Sequence, residues 1–127
     1  MHNEKPVIAV VDDDPRLLES LEELLDSAGF ATRSFSSASE LLGSGLSDLD
    51  ILITDIGMPG MNGFELRDLV RNKRPKLPVF LITGRHEIAD QSRAQGISGF
   101  FRKPFDAPAL LEAVASALDD KNHGGLA

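Results

Sequence analysis

The chain has 127 residues, 42% of them hydrophobic, which suits one domain with a sizeable core and leaves no room for a second. Its 20 acidic against 13 basic residues give a formal net charge of -7, which argues against holding DNA or RNA by their phosphates. No cysteine is present, which excludes disulfides, thiol nucleophiles and thiolate metal sites; the polar start lacks a signal-peptide core and no segment approaches membrane-spanning length, so a cytoplasmic location is the default expectation.

Pro6 to Val11 reads as a first apolar strand, stopped by Asp12, Asp13, Asp14 and Pro15, which cannot extend a buried strand. Asp14 with Pro15 makes an N-cap and first-turn pair. Leu17, Leu18, Leu21, Leu24, Leu25 and Ala28 then repeat at helical spacing until Gly29. Phe30 to Phe35 forms a second strand, expected at the sheet edge, and Ser37 with Glu40 fits a capping box for a short helix that ends at Gly43 to Gly45. Ile51, Leu52, Ile53 and Thr54 run without alternation, as in a parallel strand covered on both faces, and the run stops on Asp55. Turn signals follow at Pro59, Gly60, Asn62 and Gly63. A third helix is expected from Asn62 or Gly63 to about Lys73, before Pro75 and Pro78.

Val79 to Thr83 is a fourth buried strand, again ending on a polar residue before Gly84. His86 to Gln95 predicts a helix with a thin apolar face of Ile88, Ala89 and Ala94, closed by Gly96 and therefore loosely held. Ile97 to Arg102 is the fifth strand, ending at Lys103 and Pro104. Asp106 then caps a last helix with Leu110, Leu111, Val114, Ala115 and Leu118 on its apolar face. Five strands alternating with five helices predict an α/β doubly wound sandwich: a flavodoxin-like (βα)5 fold with a parallel sheet in the order 2-1-3-4-5. The domain is expected over residues 1–119, with 120–127 as a flexible tail or the start of a linker.

Parallel strands bring their carboxyl ends together, so Asp12, Asp13, Asp55, Thr83 and Lys103 converge. Three neighbouring carboxylates repel, and such a site either takes up protons or binds a cation. Hard oxygen donors without His or Cys favour Mg²⁺, with Mn²⁺ the alternative, and waters completing the shell. A cation, the Lys103 ammonium and the Thr83 hydroxyl around one carboxylate form a receptacle for a phosphoryl group, with Asp55 as nucleophile. Singly, each residue has an ordinary role: Asp14 a cap, Asp12 and Asp13 a solvated loop, Thr83 a strand end, Lys103 a turn. Their joint placement at four separate strand ends points to chemistry. His2, His86 and His123 read as surface residues.

Across Val7 to Leu118 the chain resembles the receiver domain of two-component response regulators. The likeness rests on Val10–Pro15 (VVDDDP), Thr54–Gly63 (TDIGMPGMNG), Leu81–Gly84 (LITG) and Phe101–Phe105 (FRKPF). The resemblance implies phosphorylation on Asp55 by a histidine kinase. It also implies Mg²⁺ held by Asp13, Asp55 and the Gly57 backbone carbonyl with Asp12 assisting through water, a switch hydroxyl on Thr83, a phosphoryl-pairing cation on Lys103, and a cis peptide bond before Pro104. Phe100 matches the switch aromatic, with Phe101 competing for the role. Gly57 leaves the phosphoryl group less shielded than a side chain would, and Arg85 is placed to lean over it; both bear on the lifetime of the acyl phosphate. The implied action is a population switch, in which the face of the fourth and fifth helices turns towards a partner-binding form.

Partners implied in this way are the cognate kinase and either a downstream effector protein or a DNA-binding domain absent from this chain, with no direct nucleic-acid or membrane binding. A phosphorylation-dependent homodimer through the same face is a further expectation. Two rivals stand beside this reading. One is a small haloacid-dehalogenase-type phosphohydrolase with Asp12 as nucleophile and Asp14 as acid, although Pro15 and Arg16 depart from that pattern and Asp55 would have no task. The other is a receiver-like module that binds without phosphorylation. A flavin-binding flavodoxin is disfavoured by the acidic first loop.

Overall fold

The computed structural model describes residues 5–83, 99–102 and 106–124. Within these, β1 (Val7–Val11), β2 (Ala31–Phe35), β3 (Ile51–Asp55), β4 (Val79–Thr83) and β5 (Gly99–Arg102) form one sheet in the order β2-β1-β3-β4-β5, with every neighbouring pair parallel. The helices are α1 (Pro15–Ser27), α2 (Ala38–Ser44), α3 (Gly63–Lys73) and α4 (Ala107–Gly124). The flavodoxin-like order and the edge position of the second strand are as the sequence predicts. The helix expected over 86–95 lies outside the described residues.

The absence of alternation in the inner strands has a direct cause. Ala9, Val11, Leu52, Val79 and Leu81 pack into one cluster with Leu41 of α2 and Phe64, Leu66 and Val70 of α3. Their strand neighbours Ile8, Val10, Ile51, Ile53, Phe80 and Ile82 enter a second cluster with Leu21 and Leu25 of α1 and Leu110 and Val114 of α4. Each inner strand is therefore apolar on both faces, and the hydrophobic contribution scales with all of that area.

The helix ends follow local chemistry. The Asp14 carboxylate accepts the Arg16 amide with Pro15 at the first helical position, as expected. At the other end of α1 the Gly29 amide bonds to Asp26 and the Phe30 amide to Leu25, with Gly29 at φ +94, the Schellman arrangement that an L side chain resists. Ser37 caps α2 by accepting the Glu40 amide, but the Glu40 carboxylate reaches the Ser36 amide rather than that of Ser37, so the expected box closes one residue early. The reciprocal box occurs instead on α3, between Asn62 and Glu65, at 2.9 Å in both directions.

Two expectations for the last helix are corrected. Ala115 is exposed, and Ala113 and Ala117 take its place against the core, because they extend the stripe running from Leu110 through Val114. The backbone also stays helical through Asp119 and on to Gly124, since no Gly or Pro interrupts it before that residue. The flexible tail expected from residue 120 is thus helical over its first part.

At the opposite end of the sheet from Asp55, Arg74 caps α3 and turns its guanidinium onto the connection before β3. One of its nitrogens donates to the carbonyls of Leu46 (2.5 Å), Ser47 (3.4 Å) and Leu49 (3.1 Å). Arg33 and Asp48 form an exposed pair that holds the Asp48 carboxyl below its ordinary range, Arg33 first and Ser47 second in effect; solvent screening leaves such a pair little to contribute. Arg74→Ala is expected to lower the free energy of unfolding by about 2 kcal/mol, because half-buried carbonyls lose a charged donor. Urea denaturation followed by circular dichroism measures this, and Arg33→Ala is expected to leave the midpoint nearly unchanged.

Candidate functional site

Strand register builds the site. Val11 pairs with Thr54 and Asp55 with Ile82, so Asp12, Asp55 and Thr83 stand at the same edge of three adjacent strands. Thr83 in turn pairs with Arg102, which places the position of Lys103 immediately past the end of β5. Lys103, Pro104 and Arg85 lie outside the described residues, as does the side chain of Phe100.

Asp12, Asp13 and Asp55 each offer a carboxylate oxygen, and the three oxygens lie within 4.8 Å of one another. Asp12 is 1% exposed, Asp55 5% and Thr83 1%, whereas Asp13 is open to solvent. Asp12 Oδ1 accepts the Asp14 amide at 2.8 Å, and the Asp12 amide donates to the Phe35 carbonyl at 3.1 Å, which fixes the turn that presents this carboxylate. Asp14 does not join the cluster. Its carboxylate caps α1, which accounts for it as a structural residue and leaves it no part as an acid.

The donor set tests well for a hard cation. All three groups are oxygen donors, two of them buried, and no imidazole lies among them.

The loop from Ile56 to Gly63 frames the site. The Ile56 amide donates to Ile82 of β4 at 3.0 Å, while the Ile56 carbonyl accepts both the Met58 amide (3.0 Å) and the Gly63 amide (2.9 Å). Gly57, expected to offer its carbonyl, sits exposed inside this closed turn. Ile56 and Met58 are buried and hold the loop onto the core. The Thr54 hydroxyl donates to the Asp55 carbonyl at 3.1 Å. The sequence reading placed Asn62 and Gly63 at a turn and at the start of the third helix but did not find the Asn62 box, although the Asn-x-x-Glu spacing was a usable signal.

Phe101 is accounted for separately. It packs on Phe80 at a ring-centroid distance of 6.0 Å within the α1 and α4 layer. That contact gives Phe101 a core task.

Comparison with known proteins agrees with this geometry. Residues 8–115 match the family model described as the response regulator receiver domain. The C4-dicarboxylate transport transcriptional regulatory protein DctD of Rhizobium meliloti is 37% identical over 115 residues, covering 88% of this chain and 25% of that protein. The transcriptional regulatory protein FixJ of Azorhizobium caulinodans is 34% identical over 114 residues, covering 87% of this chain and 54% of FixJ. The chain thus spans between a quarter and about half of these relatives. A crystal structure of a CheY-like response regulator receiver domain protein from Methanospirillum hungatei superposes with a TM-score of 0.89 at 25% identity, covering 95% of this chain and 99% of that one.

The converging carboxylates make a linked prediction. Mg²⁺ at ten times its dissociation constant is expected to stabilise the native chain by about 1.4 kcal/mol. Asp13→Asn should lose most of that gain, yet be at least as stable as the native chain without the ion, because one of three like charges is gone. Thermal unfolding in MgCl₂ and in EDTA checks both signs.

Proposed function

We propose, since this chain belongs to the response regulator receiver domain family, that Asp55 is its phosphoacceptor and that Asp12, Asp13, Asp55 and the Gly57 carbonyl hold Mg²⁺ beside it. The domain is a signalling phosphoacceptor of two-component systems rather than an enzyme in the ordinary sense. The observation that supports the site assignment is the convergence of three carboxylate oxygens within 4.8 Å at the carboxyl ends of β1 and β3.

Phosphoryl transfer asks little covalent work of a protein beyond positioning and charge neutralisation. An Asp55 carboxylate oxygen attacks the phosphorus of a phosphohistidine on the kinase, a P–O bond forms, the P–N bond breaks and the imidazole leaves. When bound, Mg²⁺ neutralises charge developing on the phosphoryl oxygens. Burial of Asp55 on a strand end keeps its carboxylate in one orientation, and the Asp14 amide does the same for Asp12. Thr83 and Lys103 then supply a hydroxyl and an ammonium to the acyl phosphate, one residue past β3's partner register and one past β5. Phe100, one position before the core-packed Phe101, is the aromatic that follows Thr83.

The phosphohydrolase rival loses its support at two points. Asp14, its acid, is committed to capping α1, and Asp12, its nucleophile, is tethered to the Asp14 amide. The partners follow from the family and remain proposals: a histidine kinase upstream, and downstream either an effector protein or an output domain such as those implied by the greater length of DctD and FixJ. Among the described residues no helix is long and apolar enough to cross a membrane. A cytoplasmic setting suits a partner of such a kinase.

Intact mass after incubation with acetyl phosphate and Mg²⁺ tests the reading. The native chain is expected to gain one phosphoryl group, and Asp55→Asn none. A gain that persists in Asp55→Asn but disappears in Asp12→Asn would transfer the nucleophile to Asp12. Sedimentation with and without beryllofluoride tests the dimer: a shift from monomer to dimer on adding the analogue is expected, and a monomer in both conditions removes that proposal.

A further inference from the structure

Gly63 is buried at the first position of α3, and its surroundings are unlike those of Gly29, Gly43, Gly45 and Gly60. A Cβ on Gly63 would lie 2.8 Å from Ile56 Cα, 3.1 Å from the Asp55 carbonyl carbon, and closer still to the Asp55 carbonyl oxygen. At Gly29, Gly43, Gly45 and Gly60 the same added atom would meet nothing within 4 Å. Gly63 is not among the glycines at positive φ, so the position demands space rather than conformational freedom.

The atoms in the way all belong to the main chain, so no side chain can rotate aside. That main chain is held from several directions. The Ile56 amide is bonded into β4, the Ile56 carbonyl accepts Gly63 and Met58, and the Asp55 carbonyl accepts the Thr54 hydroxyl. A side chain at position 63 therefore has two outlets: α3 lifts from the end of β3, or the Asp55–Ile56 peptide tilts. Either one moves the residue that carries the carboxylate and the closed turn that contains Gly57.

We propose that Gly63 is a positioning residue for phosphoryl acceptance, acting through the backbone of Asp55 and Ile56 to set where the Asp55 carboxylate and the Gly57 carbonyl stand. The inference rests on Asp55 being the phosphoacceptor. Its force comes from the steepness of in-line transfer with distance, in which a misplacement of about 1 Å costs on the order of 100-fold in rate. A displacement that the fold absorbs is one that the chemistry does not.

The test compares four proteins: native, Gly63→Ala, Gly43→Ala as a glycine with open space around it, and Val114→Ala as a core truncation in the layer on the other side of the sheet. Two quantities are read: the rate of Mg²⁺-dependent phosphoryl gain from acetyl phosphate by intact mass, and the Mg²⁺ dissociation constant by calorimetry. Gly63→Ala is expected to slow phosphoryl gain at least tenfold and weaken Mg²⁺ at least threefold, while Gly43→Ala and Val114→Ala stay within twofold of native, whatever their unfolding midpoints. Gly63→Ala within twofold of native on both readouts, or no worse than Val114→Ala at equal stability, overturns the proposal. Should Gly63→Ala not fold, the decision passes to Thr54→Val, which removes the hydroxyl on the Asp55 carbonyl and keeps the side chain's shape. A threefold or greater slowing then supports the positioning role, and native rates overturn it. A native chain that takes up no phosphoryl group overturns the Asp55 reading and the Gly63 role together, whereas native uptake with an unaffected Gly63→Ala overturns the Gly63 role alone.

Discussion

Burial of β1, β3 and β4 on both faces is the constraint on which the rest of the structure depends. Because every side chain of Ile8 to Val11, Ile51 to Thr54 and Val79 to Ile82 is enclosed, no strand can slip by one residue without exchanging the two core layers. The register is thereby locked, and the first polar residue after each apolar run falls at the same edge. Asp12, Asp55 and Thr83 are these residues. The site is the last rung of the core, so its geometry inherits the precision of close packing rather than that of a surface loop.

That inheritance carries an electrostatic cost. Asp12 and Asp55 are nearly inaccessible, and both are drawn against Asp13. In a core chosen for stability alone, two such acids would be among the first residues replaced, since a buried charge is tolerated only when it is paired or hydrogen-bonded. The Asp14 amide donates to the Asp12 carboxylate. Three carboxylate oxygens within 4.8 Å of one another make a place suited to a cation.

Legibility in the sequence divided along the same line. Features set by neighbours in the chain were readable: the apolar runs, the Asp14 cap with Pro15, the edge position of β2, and the acids that stop β1 and β3. Features set by contacts across the fold were not. Arg74 reads as one more basic residue at a helix end, and only the tertiary structure brings it onto the carbonyls of Leu46, Ser47 and Leu49. Gly63 reads as a turn or helix-start glycine, because the atoms that require it belong to Asp55 and Ile56, at the far end of a loop. The apolar face of α4 was misjudged at Ala115 because alanine is compatible with both core and solvent, so composition did not distinguish it from Ala113 and Ala117. The helical stretch past Asp119 was missed because a run of polar residues was read as disorder, although it contains no helix breaker before Gly124.

The anchoring of the site also bears on where a signal can travel. The β3 end of the sheet is secured by independent devices: the Asn62–Glu65 box fixes the start of α3, the Ile56 carbonyl closes the loop in between, and the Ile56 amide continues the ladder into β4. Phe64, Leu66 and Val70 then bury α3 against β1, β3 and β4 from one side, while α1 packs against the same strands from the other. Asp55 has little slack around it on this half of the domain, since moving α3 or α1 would open one of the two core layers. On the other side of β3, β4 pairs with the short β5, the edge strand among the described residues, and Thr83 pairs with Arg102 there.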